Sequence, residues 1–219
     1  MNESDFLLWV RGPGFTIAMT IFIAGVLLRF LEIFLLGRKI DYSAPRSSGI
    51  GAGFKTLVSR SWPAPGMFQR ASFTIVAGYV FHIGLLIVLF LLVPHISLIE
   101  AATGLSWPGL PTPLVDFFAA LALIALSAIL WHRLTHPVLR LLSTGEDYLV
   151  WAVTFLPLLT GYLTYHHLFF SYTGLLAAHI LSAELLLVVF PFTKLMHTFT
   201  LFIARWYNGM FAGRKGVES

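Results

Sequence analysis

The sequence predicts an all-α integral membrane protein: a bundle of five transmembrane helices with the N-terminus outside and the C-terminus in the cytoplasm. Three observations lead there. Of 219 residues, 58% are hydrophobic and only 11% charged, with a mean hydropathy of +0.84, far from the make-up of a soluble globular domain. Five stretches reach the roughly 20 apolar residues needed to cross a hydrocarbon core. Basic residues gather on one side of those stretches.

Span one, about 14–36, follows "MNESDFLLWVRGP", whose acids and lack of a basic n-region speak against a cleavable signal peptide. Span two covers about 72–94, after the loop "GRKIDYSAPRSSGIGAGFKTLVSRSWPAPG". Span three, about 113–133, follows "SWPGLPTP". Span four, about 148–168, opens behind Ser143, Thr144, Glu146 and Asp147, residues that satisfy the free amides of a helix start. Span five runs over about 174–204 after the short "FFSYTG". No internal repeat breaks the chain, which reads as one membrane domain, 1–219.

Charge orients the bundle. The 37–71 loop holds Arg38, Lys39, Arg46, Lys55, Arg60 and Arg70; the 134–147 loop holds Arg140, with Arg133 at its edge; the tail holds Arg205, Arg214 and Lys215. Only Arg11 lies on the other side, so the positive-inside rule places the basic loops in the cytoplasm. The pI of about 9.6 is therefore a product of topology and not the footprint of nucleic-acid binding. Cysteine is absent, which excludes disulfides, Cys-x-x-Cys-His haem attachment and all-cysteine iron–sulfur clusters within this chain.

An ionisable residue inside a span is costly and is a functional hypothesis by default. His82 lies near the middle of span two and His95 at its outer end; His179 lies near the outer end of span five and His197 toward its cytoplasmic end. Four histidines thus fall at two levels on two helices. On one continuous helix, the 18 residues between His179 and His197 make about five turns, so both point the same way, roughly 27 Å apart. A single histidine in a span can simply bond a carbonyl or reach for an interface. Four at matching depths ask for more. Zinc wants three or four ligands at one level. Haem wants one imidazole on each face and an apolar slot, which Phe73, Phe81, Phe90, Phe190 and Phe192 with Gly78 and Gly84 offer, although such content is ordinary for packed spans.

The other candidates stay open. His132 and His136 are four apart where span three meets the cytoplasm, as a metal pair or at the lipid headgroups. His166 and His167, at the outer end of span four, compete with His95 as partner of His179, line a quinone pocket, or face water. Arg29 and Glu32 either pair with each other or leave Arg29 for a haem propionate. Glu184, one turn inward from His179, is a proton group or a hydrogen-bonded packing residue. "GIGAGF" at 49–54 imitates a dinucleotide-binding pattern, but it follows no strand and reads as a flexible loop.

"FHIGLL" around His82 and "LLAAHILSAELLLVVFPFTKLMHTFT" around His179 and His197 resemble the gamma subunit of respiratory nitrate reductase, as does "LLRFLEIFLLGRK" ending span one. That family is a five-span dihaem cytochrome b of the bacterial inner membrane. The resemblance implies that His82 and His197 hold the haem nearer the cytoplasm and that His179 holds the outer one. The family's second span-two histidine comes ten residues after the first, whereas position 92 here is leucine. The nearest candidate is His95, just after Pro94. On an ideal helix it would point about 140° away from His82, so Pro94 must bend or end the helix to bring it round. The lysine that the family uses near the outer haem has no counterpart, since 95–112 contains neither Lys nor Arg. "FHIGLLIVLFLLVPHI" and "RLTHPVLRLLSTGEDYLVW" look closer to the cytochrome b subunits of sulfite-reduction-type and heterodisulfide-reductase-like complexes. The implied partners are quinone or quinol, a cytoplasmic iron–sulfur subunit and a catalytic subunit. A haem-free histidine-lined proton or ion transporter is the reading from another class, and a single-haem anchor the reduced form of the first; transporters usually show repeats or broken helices at a midplane site.

Overall fold

The computed structural model describes residues 2–37, 42–64 and 66–217, and every regular element among them is helical. Five helical segments are long and apolar enough to cross a membrane: Glu3–Leu35, Met67–Leu91, Thr112–Thr135, Gly145–His166 and Tyr172–Phe192. Their number is the expected one, and several ends are not. Arg38 and Lys39 of the basic loop lie outside the described residues.

Span one starts earlier than 14–36. Helix α1 (Glu3–Trp9) opens on a capping box in which Asn2 Oδ1 accepts from the Asp5 amide at 2.7 Å. It passes through one π-helical turn, Val10–Gly14, into α2 (Phe15–Leu35). Pro13 sits inside that turn and has no N–H to give. Helix α3 (Ile50–Ser59) follows in the loop, and α4 (Met67–Leu91) forms span two, with a non-helical residue at Ala71.

Span two ends at Leu91 rather than 94, and the cause is Pro94. It cannot donate to the carbonyl four residues back and its ring crowds it. Leu92 turns extended (ψ 125°) and a new helix, α5 (Val93–Thr103), starts with Pro94 in its first turn. The freed carbonyls find other donors: Phe90 accepts from Trp107 Nε1 at 2.6 Å, Leu91 from the Leu110 amide at 3.0 Å, and Val88 from His95 Nδ1 at 2.8 Å.

Helix α6 (Thr112–Thr135) is span three, α7 (Pro137–Leu142) a short connector, and α8 (Gly145–His166) span four. The expected start of α8 is present: the Asp147 carboxylate accepts from the Thr144 amide at 2.8 Å and from the Thr144 hydroxyl at 2.9 Å.

Span five corrects the sequence reading. Helix α9 (Tyr172–Val189) does not continue to 204; it ends in two 3-10 turns, Phe190–Phe192 and Lys194–Met196, around an extended Thr193. A separate helix, α10 (His197–Arg214), begins at His197 itself. The five-turn count that aligned His179 with His197 therefore fails, because no continuous helix joins them. The buried Pro191 explains the break, lacking an amide for the ladder. Its ring fills the hollow over Gly25, where a Cβ would come within 2.5 Å of it.

Contacts group the described residues into two units, each discontinuous in sequence. One holds Met1–Ile21 and Phe73–Val189, the other Phe22–Ser72 and Phe190–Ser219. In the first unit, Phe81, Ala122, Ala125, Leu126 and Leu158 form a buried core. Gly84 lets α4 approach α6, where a Cβ would stand 2.8 Å from the Phe118 carbonyl and 2.9 Å from Ala122 Cβ. In the second unit, α3 packs along α10. Gly49 meets Gly213, Gly53 lies under Trp206, and a Cβ at Gly209 would collide with the Thr56 side chain. "GIGAGF" is thus no flexible loop: it opens α3 and is half of a small-residue seam between two helices.

Candidate functional site

Helix α9 and the start of α5 bring His179 and His95 together. Their ring centroids lie 6.1 Å apart with planes 20° from parallel. Two imidazoles that bind one metal from opposite sides, at about 2.0–2.1 Å each, have centroids about 6.3 Å apart. The observed spacing is close to that value. Both rings are fixed from behind: His95 Nδ1–H donates to the Val88 carbonyl at 2.8 Å and His179 Nδ1–H to the Pro157 carbonyl at 3.0 Å. Since a carbonyl only accepts, each neutral ring presents its lone pair at Nε2, and such a backbone bond is how proteins orient a ligating histidine. Gly161 on α8 makes room for His179, because a Cβ there would stand 3.0 Å from its Cε1.

The same bond recurs at the other expected pair. His82 Nδ1–H donates to the Gly78 carbonyl and His197 Nδ1–H to the Lys194 carbonyl, both at 2.7 Å. His82 belongs to the first unit and His197 to the second. Among the described residues no three His, Asp or Glu side chains could hold a metal ion together, so the candidate sites are pairs.

The remaining histidines are sorted by their partners. His166 is not at His179; its Nε2–H donates to Asp116 Oδ1 at 2.9 Å. His167 closes α8 in the left-handed region (φ 52°), and its ring lies beside Tyr172. His132 and His136 face each other at 5.2 Å between centroids, with Phe73 against His132. Arg29 pairs with Glu32 at 2.7 Å, as one of the two readings had it, and its Nε–H also donates to the Pro191 carbonyl at 3.0 Å. Glu184 is 5% exposed, and among the described residues its Oε1 has no hydrogen-bond partner, so a hydrogen-bonded packing role does not describe that atom. Gly14 leaves the space the carboxyl fills: a Cβ there would be 3.1 Å from both its oxygens.

The aromatic slot changes too. Phe81 belongs to the buried core and Gly84 to the α4–α6 contact, while Phe190 packs on Phe22 and Phe199 in the second unit. Gly78 has open space around it. A cleft of about 260 Å³ lined by Glu3, Phe170, Ser171, Gly174, Leu175 and Ala178 contains none of the histidines. It falls below the roughly 300–1,000 Å³ usual for small-molecule pockets.

The chain is 32% identical over 210 residues to a protein of Nitratidesulfovibrio vulgaris strain Hildenborough, which covers 92% of this chain and 91% of the relative. The chain belongs to that protein's family. Members so related share nearly their whole length and not one motif only. No family model matches the chain, and no solved structure matches it.

Sequence reading missed Asp116 of this family member. It stands in the second turn of α6, inside span three, and the rule that flags intramembrane charge would have found it. Gly161 and the Pro157 carbonyl were missed as well. Nothing local marks them, because their role exists only once α8 and α9 are packed.

Proposed function

We propose that this protein is the membrane-embedded dihaem cytochrome b subunit of a bacterial respiratory complex, related to the nitrate reductase gamma, sulfite-reduction-type and heterodisulfide-reductase-like subunits. It passes electrons between the quinone pool and a cytoplasmic iron–sulfur partner that serves a catalytic subunit. The observation that carries this reading is the His95–His179 pair, at 6.1 Å with both Nδ1 atoms bonded to backbone carbonyls. Haem, when bound, supplies the one-electron chemistry.

This chain's residues supply the rest. His95 and His179 would hold the outer haem, and the resemblance to the nitrate reductase gamma subunit assigns His82 and His197 to the one nearer the cytoplasm. The Val88, Pro157, Gly78 and Lys194 carbonyls fix the four imidazoles in one tautomer. Glu184 is the proton-exchanging group of the outer half. With the basic loops in the cytoplasm, the N-terminus is outside, and the protein sits in the inner membrane with quinol bound at the outer haem. An ultraviolet–visible spectrum of the purified protein, oxidised and dithionite-reduced, tests this. Bis-histidine b-type bands and about two haems per chain by pyridine haemochrome are expected from four ligands. A spectrum without haem bands ends the electron-transfer reading.

A further inference from the structure

Asp116 takes up His166 Nε2, which is therefore not free to pair with His179. We propose that this His166–Asp116 pair is the hydrogen-bonding anchor for one hydroxyl of a hydroquinone, with His166 Nδ1 as the acceptor. The proposal rests on the quinol reading above and supplies that reading with its substrate contact.

The tautomer is the first reason. An ionised carboxylate only accepts, so the 2.9 Å bond to Asp116 Oδ1 places the ring proton on His166 Nε2. In that tautomer the lone pair lies at Nδ1. His95 and His179 show the opposite arrangement, with Nδ1 spent on a carbonyl. The chain thus orients two kinds of imidazole in one unit, and where His95 and His179 have carbonyls behind them His166 has a carboxylate. A bond of this kind makes the ring a better acceptor.

Access is the second reason. The His166 and Asp116 side chains are 32% and 26% exposed, held in place yet reachable. The rings of Tyr162 and Tyr165 lie 4.3 and 5.0 Å from the imidazole, offering flat apolar faces to an aromatic head group. Position is the third. His166 comes five residues after Gly161, on which the His179 ring rests, about 7.5 Å further along α8. A charged residue at position 116, in an apolar span, is costly unless it is used.

The chemistry also predicts a preference. A hydroquinone hydroxyl can donate to Nδ1, whereas a quinone carbonyl cannot, so the site favours the reduced form.

The test is equilibrium binding of 2-heptyl-4-hydroxyquinoline N-oxide, a fluorescent hydroquinone mimic, to the purified full-length protein, with haem bands recorded on the same samples. His166→Ala should weaken binding at least about tenfold, and Asp116→Asn about three- to tenfold, the scale of one charge-assisted bond. His166→Gln, which keeps a side-chain acceptor, should fall between His166→Ala and wild type. His167→Ala should bind as wild type. Equal binding by His166→Ala, His166→Gln and Asp116→Asn overturns the anchor, as does a wild type that does not bind the probe. Haem bands with insensitive binding leave the electron-transfer reading standing and remove the anchor. Binding that depends on His166 in protein without haem bands does the reverse.

Discussion

Among the described residues, helices break after Leu91 and after Val189, and in both cases a proline removes the amide that the ladder needs. What fills the gap differs. At the first break an imidazole, His95, takes the Val88 carbonyl through Nδ1 and lies beside His179. At the second, Arg29 takes the Pro191 carbonyl while already paired with Glu32. One break brings two imidazoles together and the other closes on itself. The units around them differ in the same sense. Among the described residues, every histidine except His197 lies in the first unit, while every Lys and Arg except Arg11, Arg133 and Arg140 lies in the second. The first holds groups that can ligate or exchange protons; the second is a basic helix pair joined through glycines.

The sharpest way to break this contrast is His95→Ala. It should remove the outer haem and keep the one at His82 and His197, taking pyridine haemochrome from about two per chain to one. His166→Ala and His167→Ala should leave both. If either of these removes the outer haem while His95→Ala is silent, the first break is no more a ligand site than the second.

A smaller effect is expected in the second unit. Gly209→Ala forces a methyl against Thr56 across the α3–α10 seam. Overpacking of this kind costs about 1–3 kcal/mol, read as a lower thermal midpoint and faster tryptic cleavage at Arg60 and Arg205. The outer-haem spectrum should not move. A shift of that spectrum would show that the two units do not divide the work as proposed.

The smallest effect is at the start of α8. Asp147→Ala removes the carboxylate that holds the Thr144 amide and hydroxyl. A cap of this kind contributes about 1 kcal/mol, so the midpoint should fall slightly with haem content unchanged. Loss of haem would mean that the position of α8, and with it the Pro157 carbonyl under His179, depends on one cap.

Much of the fold was legible because it follows from solvation. Five apolar runs, the absence of cysteine and the cap at Thr144 needed no packing to be read. The break at Pro94 was legible for the same local reason, and it is what lets His95 reach His179. The break at Pro191 was not read, although the residue is in plain view. Hydropathy stays high through "VVFPFTKLM", and an apolar run has the same composition whether or not its backbone is helical.

By itself, then, the sequence determined the class of protein, the number of spans, the sidedness of charge and the four histidines worth testing. Each of these depends on the composition of a segment against its solvent. Only the tertiary structure decided which histidine meets which partner. His95 lies beside His179, His166 turns to Asp116 fifty residues away, and Gly49 of "GIGAGF" meets Gly213 of α10. The reason is geometric. A helix rotates about 100° per residue, so one break or one added residue redirects a side chain completely while leaving hydropathy almost untouched.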